Sequence, residues 1–453
     1  LLDRRGRVVE VHGLNLVIKR PPYLPTKFGV GADDARFLHR HGFTAVRLGV
    51  LMQALEPRPD RFDDRYLRAI VRTAHLLARH GVRSLVDFHQ DLYSATFKGE
   101  GLPGWMVRSG GVPNAPNLGF PTNYFADPAL EHTFDNFWAN VAGPGGRGLQ
   151  QWYAGAWRRV ARAFRGDPAV LGYDIFNEPW PGTAWPTCFL PIGCAALDTS
   201  LLAPFADRII RAIHSVDPRH IAYFEPWQSF GEGAATAVGA PGDALTGFSF
   251  HIYCAAAAGL PEDLVTRTAC DTAEHSAMDH AVAQASRAGE ALLLSEFGAT
   301  SDGAELRSVV SYADAHSIPW LEWAYCACGD PTGSGRVESL VYDPTDPPRG
   351  GNVNHASLSW LDVPYPLRTA GTPLGYSFDR GSRTFRFRYS TRSVVDGHRL
   401  HAPTVIYLSR LHYPHGYRAR VSGGTVVAHH SRRLAVRAGR RASVVSVVVT
   451  PRP

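Results

Sequence analysis

Two glutamates stand at matching places in the chain. Glu178 lies near the end of the run Tyr173-Asp174-Ile175-Phe176-Asn177-Glu178-Pro179, and Glu296 in Leu292-Leu293-Leu294-Ser295-Glu296-Phe297-Gly298. Each is a carboxylate delivered by an apolar stretch that reads as a strand. Either one alone also fits a turn or a capping role. As a pair they fit glycosidic bond cleavage, which needs two carboxyl groups flanking the scissile bond. Other polar residues fall at the ends of similar stretches: Arg47, His89 with Asp91 two residues on, Asn177, His251 with Tyr253, and Trp323. Arg47 and Tyr253 are suited to holding Glu296 ionised. Asn177 can donate a hydrogen bond to a sugar 2-hydroxyl, and Trp323 can stack on a pyranose face. His89 equally fits a satisfied core histidine, and Trp323 simple packing.

Something must carry these residues to one place. Short apolar runs at 8–16, 45–50, 84–89, 170–177, 221–225, 247–253, 292–297 and 320–324 alternate with helical patterns. The clearest helix is 63–80, where Leu67, Ile70, Val71, Ala74, Leu77 and Ala78 share one stripe. Others are expected at 207–216, stopped by Asp217-Pro218, and at 279–288 and 304–315. Eight strands with intervening helices make an α/β fold, a (β/α)8 TIM barrel, over residues 1–361. A doubly wound sheet would usually show a glycine-rich phosphate loop, and the sequence has none. After Leu361 the texture changes to alternating strands, so 362–453 reads as an all-β sandwich behind a short linker, 362–366.

The chain has 453 residues, 45% hydrophobic and 19% charged, which suits a folded protein with a sizeable core. No apolar run reaches membrane-spanning length. The most apolar stretch, 442–450, reads as a buried strand. The net charge is +6, and lysine occurs only at Lys19, Lys27 and Lys98. The arginines are dispersed apart from a modest cluster at 432–441, so no nucleic-acid partner is expected. The chain starts at Leu1 without an apolar leader, as after processing or trimming. Six cysteines suit disulfides in a secreted protein, with Cys188–Cys194 and Cys254–Cys270 the expected pairs. They form no paired C-x-x-C units, so no metal site is expected.

Two long irregular segments follow the third and fourth strands, at 90–128 and 179–201. They carry Trp105, Met106, Val112, Leu118, Phe120, Phe125, Trp180, Trp185, Phe189, Leu190 and Ile192. Loops after strands lie on the catalytic face of a barrel. Such apolar density fits an acyl-chain groove or membrane contact, or equally packing beneath the loops.

Arg47, His89, Asn177-Glu178-Pro179, His251-Ile252-Tyr253, Glu296-Phe297-Gly298 and Trp323 together resemble glycoside hydrolase family 5, across roughly the first 360 residues. Four segments narrow the resemblance to the endoglycoceramidases within it. They are Gly13-Leu14-Asn15-Leu16-Val17-Ile18-Lys19, Asp87-Phe88-His89-Gln90-Asp91, Gly99-Glu100-Gly101-Leu102-Pro103-Gly104-Trp105 and Asn177-Glu178-Pro179-Trp180-Pro181-Gly182. The resemblance implies a retaining enzyme with Glu178 as acid/base and Glu296 as nucleophile, their carboxyl groups about 5–5.5 Å apart. It further implies that Lys19, His89, Asp91, Asn177 and Trp323 contact the sugar next to ceramide, and that the substrate is a glycosphingolipid. A secreted monomer that needs no cofactor and touches a membrane or micelle surface is the matching expectation. A family 5 enzyme for a soluble β-glucan or mannan, and a non-catalytic glycolipid binder, are the competing readings.

Overall fold

The computed structural model describes residues 1–189, 191–253, 264–333 and 335–452. Leu190 and Cys254, and with Cys254 the pair expected with Cys270, lie outside them.

Eight parallel strands close into a barrel: β1 (His12–Leu16), β2 (Ala45–Val50), β3 (Arg83–Phe88), β4 (Val170–Asp174), β5 (Ile221–Phe224), β6 (Thr246–Ile252), β7 (Ala291–Phe297) and β8 (Trp320–Glu322). The ring shuts between the first and last, with His12 opposite Trp320 and Leu14 opposite Glu322. Its principal helices are α1 (Ala32–Arg40), α2 (Asp64–Ala78), α3 (Pro128–Trp138), α4 (Leu149–Ala163), α5 (Ala203–His214), α6 (Leu264–Ala288), α7 (Gly303–His316) and α8 (His355–Leu361). The TIM barrel expected from the alternation is the observed fold. Between β5 and β6, where every residue is described, the chain makes only a 3-10 turn, Gln228–Glu232.

Local chemistry explains these elements. In α2, Asp63 caps the helix by accepting from the backbone N–H groups of Arg65 and Tyr66 at 2.8 and 3.0 Å. Leu67, Ile70, Ala74 and Leu77 of its apolar stripe are buried. The long α6 exceeds the expected 279–288 because its first half is small and polar, without a 3.6-residue apolar period to reveal it.

The C-terminal part is a sandwich of β9 (Tyr365–Thr369), β10 (Thr372–Asp379), β11 (Thr384–Ser390), β12 (Thr404–Tyr407), β13 (Tyr417–Ser422), β14 (Gly424–His430), β15 (Arg433–Ala438) and β16 (Val444–Pro451). One sheet runs β10-β11-β16-β13, and the other β9-β12-β15-β14. Phe385, Phe387, Tyr389, Ile406, Leu434, Val445, Val447 and Val449 fill the space between them. In β16 only the alternate valines 445, 447 and 449 are fully buried, so the stretch read as a buried strand has one face in the core.

The strand expected at 8–16 is divided. Val8–Val9 leaves the barrel and pairs antiparallel with β9, adding a fifth strand to that sheet. Glu10 sits at the seam, 3% exposed, with no hydrogen-bond partner for Oε1. Nearby, His12 stacks between Trp320 and Tyr365, and Tyr376 donates to Asp314 at 2.9 Å. Burial, then the charge of Asp314, push the Glu10 carboxyl up to about 8. The folded state therefore holds a proton that the unfolded chain releases near pH 4.5. The native state is least penalised below that value, and loses on the order of 5 kcal/mol as pH rises from about 4.5 to about 8. Glu10→Gln is expected to flatten this loss: its melting temperature should exceed the parent's at pH 8.5 and match it near pH 5. Equal pH slopes in a thermal scan would place the penalty elsewhere.

Candidate active site

The barrel converges on Arg47, which projects from β2 and is wholly buried. Its Nη1 donates to Glu296 Oε1 at 2.5 Å and its Nε to Asp174 Oδ2 at 2.8 Å. Its Nη2 meets Glu225 Oε1 at 3.0 Å, Asp87 Oδ1 at 3.0 Å and Asn177 Oδ1 at 2.8 Å. One guanidinium thus orders five side chains from the ends of four strands, β3, β4, β5 and β7. A rigid planar fork suits that task, where a lysine ammonium would not.

Glu296 ends β7 and is 4% exposed. Tyr253 Oη donates to its Oε2 at 2.7 Å. Burial raises its pKa, while His251 and Arg47 pull it down. The expected counter-charge is in place, yet burial outweighs it and the net direction is upward.

Glu178 follows β4 with φ 45°, a left-handed conformation that costs a non-glycine residue energy. Glu225 Oε2 accepts its backbone N–H at 2.9 Å and so holds it there. Its side chain is gripped at both oxygens, Oε1 by His251 Nδ1 at 2.8 Å and Oε2 by Gln228 Nε2 at 2.6 Å. Burial alone would lower the His251 pKa; Glu225, Glu296 and Glu178 outweigh it, and the ring is held as a cation. One carboxylate oxygen of Glu178 and one of Glu296 lie within 4.8 Å of each other. That spacing suits a nucleophile and an acid. An inverting pair stands about 6.5–9.5 Å apart to admit a water.

The remaining predicted residues join the same network. Asp87 Oδ2 binds His89 Nδ1 at 2.8 Å, and His89 Nε2 lies 3.5 Å from Asp91. Burial opposes protonation of His89, but Asp87 and Asp91 win and raise it to about 9. Lys19 pairs with Asp91 at 2.6 Å and Asp330 at 3.0 Å, and donates to Thr332 Oγ1 at 2.6 Å. Trp323 lies parallel to His89, ring centroids 5.5 Å apart, with Lys19 Nζ 4.4 Å from its centroid. Asn177 Nδ2 donates to the Gln90 carbonyl at 2.9 Å. All ten residues singled out in the sequence are therefore contiguous.

Sequence reading passed over Asp87, Asp174 and Glu225 as counter-ions, Gln228 on the 3-10 turn, and Asp330 and Thr332 after β8. The available signal was a charged residue inside an otherwise apolar strand, which only an ion pair makes tolerable. Cys188–Cys194 is disulfide-bonded as expected, and Cys326–Cys328 is also disulfide-bonded, just ahead of Asp330.

A TIM barrel presenting two close carboxylates at strand ends defines a retaining glycoside hydrolase. Residues 2–329 match the family described as cellulase (glycosyl hydrolase family 5), and 364–449 match the glycoside hydrolase family 5 C-terminal domain. Endoglycoceramidase I of Rhodococcus hoagii (strain 103S) is 32% identical over 445 residues, covering 96% of this chain and 83% of that protein. The solved structure of endo-glycoceramidase II from Rhodococcus sp. as a lactosyl-enzyme intermediate superposes with a TM-score of 0.80 at 25% identity, covering 100% of this chain and 99% of that one. Its ganglioside GM3 complex gives 0.79 at 25% identity with the same coverage. The chain belongs to glycosyl hydrolase family 5.

Glu225→Gln keeps an acceptor but removes the charge that contributes most to holding His251 protonated. The expected result is a fall in kcat of roughly 10- to 100-fold with KM little changed. The alkaline limb of the kcat/KM profile should also move to lower pH. An unmoved limb would separate Glu225 from the charge on His251.

Proposed function

We propose that the chain hydrolyses the β-glycosidic linkage between the oligosaccharide and the ceramide of glycosphingolipids, with Glu178 as acid/base and Glu296 as nucleophile. The carrying observation is the close carboxyl pair, each member held by different partners. Glu178, protonated at the start, gives its proton to the glycosidic oxygen as ceramide leaves. Glu296, aimed by Arg47 and Tyr253, attacks the anomeric carbon and forms a glycosyl-enzyme. Ionised Glu178 then takes a proton from water, which releases the sugar with its configuration retained. Lys19, His89, Asp91, Asn177 and Trp323 form the wall that binds the sugar next to ceramide, and His251 orients Glu178.

The names of the relatives and the bound ganglioside of a structural neighbour support this substrate class. Incubation with a panel of glycosphingolipids and a soluble β-glucan, followed by mass spectrometry, tests it. Intact oligosaccharide and ceramide are the expected products. Cleavage of the glucan alone would replace this reading with that of a soluble glycanase, and binding without product would leave only a lectin-like role.

We further infer that the enzyme is exported and works against a lipid surface. The disulfides Cys188–Cys194 and Cys326–Cys328 support an oxidising compartment. Much of the apolar side-chain mass of the two long loops packs inward: Met106 and Trp180 are buried, and Phe125 makes edge contacts with Trp180 and Trp185. Leu118, Phe120, Phe125 and Ile192 nevertheless stay 63%, 39%, 44% and 77% exposed. Replacing Leu118 and Ile192 by serine is expected to weaken vesicle co-sedimentation roughly tenfold or more. Hydrolysis of a water-soluble aryl lactoside should be unchanged. Full vesicle binding by the double variant would rule these side chains out as the contact.

A further inference from the structure

Away from the catalytic network, three carboxylates meet between neighbouring helices. Asp271 and Glu274 lie one turn apart on α6, and Glu305 stands in the first turn of α7. One oxygen from each lies within 4.8 Å of the others. Glu274 is 1% exposed; its carboxyl meets that of Glu305, and among the described residues neither of its oxygens finds an N–H or hydroxyl donor, nor does the buried Oδ1 of Asp271. Glu305 is 7% exposed. Arg267, one turn before Asp271, pairs with Asp302, 2.5 Å away, and its charge also acts on Glu305, which leaves the three carboxylates with an excess of negative charge. Glu232, closing the 3-10 turn between β5 and β6, adds a further negative charge to the field at Glu274.

Buried carboxylates this close need either a proton or a cation between them. A single proton serves the contact between Glu274 and Glu305 but brings no ligand to the third carboxylate beside them. A divalent ion would neutralise the set and give the oxygens that lack a donor a partner. The donors are all carboxylate oxygens, which selects a hard ion and excludes a zinc-type site built on nitrogen and sulfur. Three carboxylates on two helices, with water completing the shell, suit the larger and geometrically tolerant calcium better than magnesium.

We propose that Asp271, Glu274 and Glu305 form a calcium site that clamps α6 to α7. These helices flank β7, the strand that carries Glu296, so the ion braces the scaffold of the nucleophile without touching substrate. The inference stands apart from the hydrolase reading, because its test uses no substrate.

The full chain, stripped with chelator and dialysed, is titrated with calcium chloride at pH 7.5 by calorimetry and followed by thermal unfolding. One calcium per chain is expected, with the melting temperature raised by at least about 5 °C at about 1 mM calcium. Magnesium should give a smaller rise. Glu274→Gln and Glu305→Gln should each weaken binding at least about tenfold and lose most of the thermal gain. Two variants are used so that poor folding of one leaves the other to decide. No heat and no shift in the parent protein would overturn the proposal, and a stabilised Glu274→Gln would then identify a proton-sharing cluster. Undiminished calcium binding by both variants would place the ion elsewhere and equally overturn it.

Discussion

Glu296→Gln is expected to lower turnover on a glycosphingolipid by at least about 10,000-fold while leaving the melting temperature within about 2 °C of the parent. The amide keeps an oxygen for Arg47 Nη1 and turns its NH2 toward Tyr253, so the two contacts that aim the side chain survive. What it loses is the electron pair that attacks the anomeric carbon. Glu178→Ala should behave differently. With ceramide as leaving group the loss should reach about 1,000-fold or more, because the departing alkoxide needs a proton. An aryl glycoside with an acidic leaving group should form the glycosyl-enzyme without that proton and then stall, since no base activates water. Mass spectrometry of the stalled protein should show the added sugar. Equal losses on both substrates would remove Glu178 from the acid role, and normal turnover by Glu296→Gln would remove Glu296 from the nucleophile role.

The second large effect concerns stability. Arg47→Met leaves Asp87, Asp174, Glu225 and Glu296 together in the barrel without their guanidinium. Breaking a buried ion pair costs about 3–5 kcal/mol because the partner stays buried and uncompensated. Here several partners are stranded, and a fall in melting temperature of roughly 10 °C is expected. Arg47→Lys restores one charge but reaches fewer partners, so it should recover part of the stability and little of the activity. Thermal scans beside kcat measurements on both variants decide the matter. A parent-like melting temperature for Arg47→Met would show that protons replace the arginine at no cost.

The barrel was readable because its strands are apolar runs of fitting length; β2 and β7 end where the alternation predicts, and β3 ends one residue earlier, at Phe88. Glu178, Glu296, His251 and Trp323 were readable for the same reason: each is a polar or aromatic residue at the close of such a run. Asp87 and Asp174 were harder. Asp87 lies inside β3 and Asp174 is the last residue of β4, and whether such a side chain turns toward the barrel axis depends on pairing register, which no local pattern encodes. Gln228 and Thr332 arrive on a turn and a loop that have no periodicity at all. The single helical turn between β5 and β6 was hidden likewise, since a missing helix leaves no signal of its own.

Val8–Val9 carries a consequence for synthesis. These two residues precede the barrel in the chain, yet their partner is β9, more than 350 residues later. A nascent chain can close the barrel once β8 has emerged, but this leading segment has no strand to join until the final module follows. During translation it is an open edge available to a chaperone or to a neighbouring chain. Its capture by β9 is among the last steps of maturation, and a ribosome halted near residue 361 would release a closed barrel with a loose leading strand.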